Sequence, residues 1–279
     1  MSTWFITGAS RGFGLQIARA AVAGGDTVVA AVRNLDGLPD DLKRSDRVLG
    51  VTLDVTRPED IETAVQTAIE RFGRIDVLVN NAGRGLFGAL EEVTDAEARS
   101  LFDLNFFGLI NVTRAVLPGM RAGGGGKIVN IGSRGGFEGG AGASMYCSSK
   151  FAVAGISESL SEELEPFGIQ SMVVEPGIFR TDFLDSSSVS VAARRIDAYD
   201  GTPARDMLDW ADATNHNQFG DPVKGAALIY EVTCQDKLPE HLALGRDAIV
   251  RQQIKIQKLQ HDLMAWQEKS LATAYDGTD

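Results

Sequence analysis

The chain has 279 residues, 44% of them hydrophobic and 23% charged, and a formal net charge of −11. Such a length and balance suit one large globular domain or two small ones, while the acidity argues against a general binder of nucleic acid or anionic membrane, which needs a basic face. Two cysteines without paired spacing, and three scattered histidines (His216, His241, His261), argue against a disulfide framework and against a metal site.

The amino-terminal "MSTWFITGAS" lacks the charged and long apolar regions of a secretion signal, and no apolar run reaches the length of a membrane span. A cytoplasmic, membrane-free protein is expected. Residues 3–7, 27–33 and 48–55 read as apolar, β-branched strands, as do "IDVLVNNAG", "KIVNIGS" (127–133) and "QSMVVEPG". Between them lie helical patterns, among them 58–73, with proline and acids in its first turn, a long helix over about 95–118, and one through Tyr146 to about Phe167. Continuously apolar strands separated by helices predict a doubly wound parallel α/β sheet, Rossmann-like, with ligand at the carboxyl ends of the strands.

Residues 181–220 break this rhythm, being long, polar and weakly periodic, and read as a substrate lid or a surface insertion. Residues 1–245 are taken as one dinucleotide-binding and catalytic domain, and 246–279 as a helical extension of it. The stripe Ile249, Val250, Ile254, Leu259, Leu263 and Trp266 on that extension is expected to pack on its own domain.

"TGASRGFG" (7–14) joins the first strand to the first helix. Its glycines, Gly8, Gly12 and Gly14, permit a tight turn and close approach of ligand to bare backbone, ahead of a helix amino terminus that attracts phosphate. The spacing is neither G-x-G-x-x-G nor a P-loop, so simple strand-to-helix geometry stands as the alternative. The second strand ends on Ala31, Val32 and Arg33 with no acid for a ribose 2′-hydroxyl. Arg11 and Arg33 converging on one spot would suit the extra phosphate of NADP(H); two solvated arginines are the other reading. Farther on, Tyr146 and Lys150 stand four apart and share one helix face.

Taken in order, the motifs resemble those of the short-chain dehydrogenase/reductase family from residue 3 to about 181. "TGASRGFG" fits its T-G-x-x-x-G-x-G turn, "NNAG" (80–83) its fourth-strand motif, and Tyr146 to Lys150 its Y-x-x-x-K, with Ser133 thirteen positions ahead; "PGIFRT" (176–181) fits its P-G stretch. The resemblance implies Ser133, Tyr146, Lys150 and Asn105 as catalytic residues. Tyr146 would trade a proton with substrate, its pKa lowered from about 10 by the Lys150 cation. Ser133 would hold the carbonyl oxygen, Lys150 would also hold ribose hydroxyls, and Asn105 would hold a relay water. Cofactor contacts are implied for Gly8, Ser10, Arg11, Gly12, Phe13, Gly14, Arg33, Asp54, Val55, Asn81, Ala82, Gly83, Pro176, Gly177, Ile178 and Thr181, alongside Tyr146 and Lys150.

The expected activity is NADPH-dependent reduction of a ketone or aldehyde, reversible as an alcohol dehydrogenase. Phe137, Phe179, Phe183 and Leu184 suggest an apolar or aromatic carbonyl substrate, with Glu138 as a polar selector or a solvated acid. The rival readings are an epimerase or dehydratase of the extended branch, and a non-enzymatic nucleotide sensor or scaffold. The resemblance also implies a homo-oligomer, dimer or tetramer, joined through about 98–118 and 145–165.

Overall fold

A computed structural model describes residues 1–275. The chain opens with β1 (Thr3–Thr7), wholly buried, then α1 (Gly12–Ala23), β2 (Thr27–Val32), the short α2 (Asp40–Lys43) and β3 (Val48–Thr52). α3 (Pro58–Phe72) starts on proline with Glu59 and Asp60 in its first turn, and ends at Gly73, whose φ of 83° suits a residue without Cβ. β4 (Val77–Asn80) and β5 (Gly85–Phe87) lead to α4 (Asp95–Phe102), which begins in a reciprocal box: the Thr94 hydroxyl accepts from the Glu97 amide, and Glu97 accepts from Thr94.

The single long helix expected over 95–118 is interrupted. Residues 103–107 form one π-helical turn before α5 (Gly108–Ala122). After β6 (Gly126–Ile131) come α6 (Ser144–Leu164), β7 (Ile169–Pro176), β8 (Val189–Val191), α7 (Pro203–Thr214), α8 (Pro222–Thr233), β9 (His241–Leu244) and α9 (Arg246–Leu271).

Seven strands form one parallel sheet in the order β3-β2-β1-β4-β6-β7-β9. Helices cover both faces, giving two cores. One gathers Trp4, Ile6, Ile17, Val28, Met172 and Ile229; the other gathers Phe5, Val29, Leu78, Val112, Ile128 and Ile169. Adjacent residues of a strand thus enter opposite cores, which is why the strands read as unbroken apolar runs. The order turns between β1 and β4, the switch point at which such sheets bind ligand. The expected doubly wound sheet is therefore present, with a seventh strand, β9, whose "HLAL" carries no continuous apolar run to be read in sequence.

Polar groups fix the strands relative to one another. The Asn80 side-chain amide donates to the Thr113 hydroxyl (2.9 Å) and to Asn130 Oδ1 (2.8 Å), and Asn130 Nδ2 donates to the Ser157 hydroxyl (2.9 Å). All four residues are buried, spanning β4, β6, α5 and α6.

The 181–220 segment is ordered by pairing and packing. β8 lies parallel to β5, and α7 closes over the strand ends. Glu92 anchors it: its buried carboxylate accepts from Arg205 (2.6 Å), the Ile196 amide (2.9 Å) and the Ala89 amide (3.1 Å). These donors hold Glu92 below the usual carboxylate range against the cost of burial, the Ile196 amide contributing most.

The carboxyl-terminal helix corrects an expectation. Only its first turns meet the domain: Ala248 is buried, and Gln252 donates to the buried Glu175. From Ile256 to the end every described residue is exposed, including Leu259 (51%), Leu263 (68%) and Trp266 (60%). The stripe predicted to pack on its own domain runs past the edge of that domain.

Candidate active site

A cavity of about 390 Å³ lies over the carboxyl ends of the strands. The turn after β1 forms one wall. Gly8 and Gly12 adopt φ of 68° and 54°, open to residues lacking a side chain. Gly14 is buried behind the turn, where a Cβ would stand 2.4 Å from Gly8 O and 2.5 Å from Asn81 Nδ2. Gly14 does not line the cavity; its role is close packing of α1 on the turn. Asn81 is bound in the same way: its Nδ2 donates to Thr7 O (2.9 Å) and Gly8 O (3.1 Å), while its amide and that of Ala82 donate to the Thr7 hydroxyl.

Ser10, Arg11, Phe13, Arg33, Asp54, Val55, Ala82, Gly83, Pro176, Gly177, Ile178 and Thr181 line this cavity with Gly8, Gly12 and Asn81. The two arginines do not converge. Arg33 is exposed at the end of β2, facing Asp54, whose carboxyl lies below its ordinary range: partial burial pushes it up, and the Thr56 amide and hydroxyl together with Arg33 and Arg57 bring it lower. The Arg11 guanidinium turns instead to the lid, donating to the Ser187 hydroxyl (2.7 Å) and carbonyl (3.0 Å). The Thr181 hydroxyl accepts from the Phe183 amide (3.3 Å), capping a short turn.

Ser133, Tyr146 and Lys150 meet in the same cavity. Ser133 ends the loop after β6, its hydroxyl accepting from the Gly135 amide at 3.0 Å. Gly135 is packed so closely that a Cβ there would lie 3.3 Å from Cys147 Sγ, 3.4 Å from Ser133 Oγ and 3.6 Å from Tyr146 Cε1. Tyr146 and Lys150 are one turn apart on α6, as their spacing predicts, and both are buried. Cys147 is a buried small residue whose thiol burial pushes up.

In this structure the Tyr146 pKa is raised rather than lowered. Burial pushes the phenol up to about 12, with the Ser133 hydroxyl opposing as a hydrogen-bond partner. Burial also pushes the Lys150 ammonium down to about 8, and its Nζ donates to Ile131 O at 2.7 Å. Desolvation is the leading cause at both groups.

Asn105 sits in the π-helical turn and does not line the cavity. Its Oδ1 accepts from the Arg84 amide, and its Nδ2 donates to Arg84 O and the Ser149 hydroxyl. A Cβ on Gly83 would lie 3.2 Å from Asn105 Oδ1 and 3.6 Å from Lys150 Nζ. The bare glycine is what separates the two.

Beyond Tyr146 the walls are apolar. Phe87, Phe183, Leu184, Met207 and Trp210 line this end, with ring centroids of Phe183 and Phe87 at 5.5 and 6.3 Å from that of Tyr146. Met207 and Trp210, on α7, were not found in sequence; their three-residue spacing on one helix face was the available signal. Phe137 lies outside, against His241, and Phe179 packs edge-on to Phe13. Glu138 is held at the rim by a two-pronged bond with Arg251 of α9 (2.6 Å each).

Among the described residues no helix is long and apolar enough to cross a membrane, and no cluster of three candidate metal ligands occurs.

The profile of the "short chain dehydrogenase" family matches residues 2–190. "Oxidoreductase BOA17" of Botryotinia fuckeliana is 36% identical over 274 residues, covering 97% of this chain and 98% of the relative. The "3-ketodihydrosphingosine reductase" of Bacteroides thetaiotaomicron is 43% identical over 185 residues, 66% of each chain. A short-chain dehydrogenase structure from Streptomyces avermitilis superposes with a TM-score of 0.88 at 40% identity, covering 98% of this chain and all of the other.

Proposed function

The chain belongs to the short-chain dehydrogenase family of oxidoreductases, and from that premise we propose that it reduces a ketone or aldehyde to an alcohol with NADPH. The observation that carries the reading is the meeting of Ser133, Tyr146 and Lys150 in one cavity with the glycine turn.

The residues present fit a dinucleotide. Gly8 and Gly12 leave backbone open at the amino end of α1, suited to a pyrophosphate. Val55, Ala82 and Ile178 offer apolar sides for flat rings. Arg33 at the end of β2 suits a 2′-phosphate; Arg11 would join it only by leaving Ser187. When bound, the reduced nicotinamide supplies the hydride.

The protein's own part is proton transfer and charge stabilisation. A phenol pushed up to about 12 is protonated at neutral pH, which suits Tyr146 to donate a proton to the developing alkoxide. Ser133 holds the same oxygen and stabilises its charge. Lys150 holds the ribose hydroxyls, its ammonium the neighbouring cation that favours phenolate once the proton has left. Asn105, tied to the Arg84 backbone, holds the end of a proton path toward Lys150. Phe87, Phe183, Leu184, Met207 and Trp210 favour an apolar carbonyl substrate. The Bacteroides relative, a ketone reductase by name, supports that class. Exposed Phe107 and Phe151, at the start of α5 and on α6, support assembly through these helices.

The test is loss of reduced-nicotinamide absorbance with a panel of apolar ketones and aldehydes. Turnover with NADPH above NADH is expected; tight NADPH binding without turnover of any carbonyl would refute the enzyme reading.

A further inference from the structure

Gln218 takes no part in the proposed proton transfer, yet its placement is unusual. It is 1% exposed, while the ring of Phe219 beside it is 64% exposed. The chain has turned a carboxamide inward and a phenyl outward, the reverse of what transfer from water favours. His216, in the turn after α7, adopts φ of 60°, a left-handed conformation uncommon for a residue with a Cβ. Backbone bonds then fix the segment against the stretch that follows Gly177. The Arg180 amide donates to Gly220 O (2.8 Å), the Gly220 amide to Ile178 O (3.1 Å), and Arg180 Nε to Gln218 O (3.0 Å).

The Gln218 side chain lines the cavity together with Ile178 and Thr181. Its Nε2 faces Thr181 O at 3.5 Å; the reversed amide would set two oxygens against each other, so Oε1 is the end without a neighbour of opposite sign. That oxygen is buried and meets no donor among the described residues. The N–H groups close in sequence to its contacts are engaged: Arg180 Nε on Gln218 O, the Ile178 amide on Asp247 (3.1 Å), and the Thr181 amide on Phe179 O (2.9 Å). A buried acceptor left without a donor is costly, and native proteins rarely keep one.

We propose that Gln218 holds the carboxamide of the nicotinamide, its Oε1 accepting from the carboxamide N–H. The assignment rests on the cavity taking a nicotinamide dinucleotide, as proposed above. The missing partner must be a donor, and that selects among the parts of such a ligand. A pyrophosphate offers only acceptors, as does an apolar carbonyl substrate. The ribose hydroxyls are already assigned to Lys150. A primary carboxamide brings two N–H groups, and Thr181, whose carbonyl Gln218 faces, is a residue expected to meet it. Gln218 thereby ties the segment after α7 to the position of the ring.

Calorimetric titration of the full chain with three ligands tests this: NADP, its 3-acetylpyridine analogue, in which a methyl ketone replaces the carboxamide and removes both donors, and 2′-phospho-ADP-ribose, which has no ring. The wild type should bind NADP about tenfold tighter than the acetylpyridine analogue, as for one buried hydrogen bond. Gln218→Leu should abolish that preference by weakening NADP alone, with the other two ligands bound as before. Gln218→Met, closer in length, repeats the measurement should leucine prevent folding. A wild type without the preference, a variant that keeps it, or a variant that weakens all three ligands alike would overturn the assignment, the last making Gln218 a support of the wall only. A wild type that binds none of the three would overturn the dinucleotide site itself, whereas binding all three without preference would overturn Gln218 alone.

Discussion

The two sides of the cavity are built by different physics. On the cofactor side the chain is held by backbone and by lack of space. Strand ladders set β1, β2 and β4, Asn81 ties two strand ends together, and Gly14 leaves no room for one carbon. On the lid side the backbone ladder is short, and position depends on side chains: Glu92 with Arg205 and the Ile196 amide, Asn215 on Asp185, and Arg11 on Ser187. A wall of the first kind admits few sequences, whereas a wall of the second kind can be refitted around a new substrate by changing a few polar contacts. The Tyr146–Lys150 pair on α6 stands between them, with Tyr146 touching lid rings and Lys150 touching Ile131 of the sheet.

The sharpest test of that division is Tyr146→Phe. Turnover should fall by about a hundredfold to ten-thousandfold, the range of a positioned acid, with NADPH binding retained in fluorescence titration. Comparable turnover would remove Tyr146 from the proton transfer. Gly14→Ala comes next. Its Cβ would overlap Gly8 O, so thermal unfolding should show a loss of about 1–3 kcal/mol, together with weaker cofactor binding. An unperturbed variant would mean the turn on the cofactor side can yield.

Arg33→Ala should weaken NADPH by about tenfold to a hundredfold, as for one lost charge-assisted hydrogen bond, and leave NADH nearly unchanged; equal losses would place the 2′-phosphate elsewhere. Glu92→Gln should spare cofactor affinity, raise the substrate KM several-fold and speed amide exchange in 193–210. If cofactor affinity falls as far as substrate affinity, the two sides are not separable.

A smaller effect concerns pH. Burial depresses Lys150 to about 8 in the folded chain from an ordinary 10.5. The folded state then holds fewer protons than the unfolded one between those values, so this group costs stability below pH 8 and the cost fades toward 10.5. Tyr146, raised to about 12, acts oppositely: its contribution is full below its unfolded value near 10 and is lost as pH rises through 12. The melting-temperature difference between wild type and Lys150→Met should therefore move in favour of the wild type from pH 8 to 10.5. A flat difference would mean the ammonium is not penalised.

Legibility in the sequence followed the same division. The first six strands of the main sheet, the glycine turn and the Ser133–Tyr146–Lys150 grouping were readable, because apolar runs, glycines and fixed spacings are local signals. The π-helical turn at Asn105 was not, since one extra residue in a helix leaves the surrounding pattern intact. Nor was the direction of Arg11, which depends on Ser187, 176 positions away. The burial of Tyr146 was hidden for a related reason: spacing shows a neighbouring cation and is blind to desolvation. α9 was legible as a helix, but the stripe carried no mark of how far the domain beneath it extends.

The amide ladder through Asn80 and Asn130 has a consequence at the far end of its strands. Sliding β6 by one residue against β4 would bring Val129 or Ile131 opposite Asn80 and break the bond between the two carboxamides, leaving Asn130 Oδ1 buried without its donor. Such a stranded group costs about 1–3 kcal/mol, and the slide would carry Ser133 about 3.3 Å along the strand axis away from its alignment with Asn81. The interior polar pairs act as a vernier: what they measure out at mid-sheet is the alignment at which the Ser133 and Asn81 loops leave the sheet together.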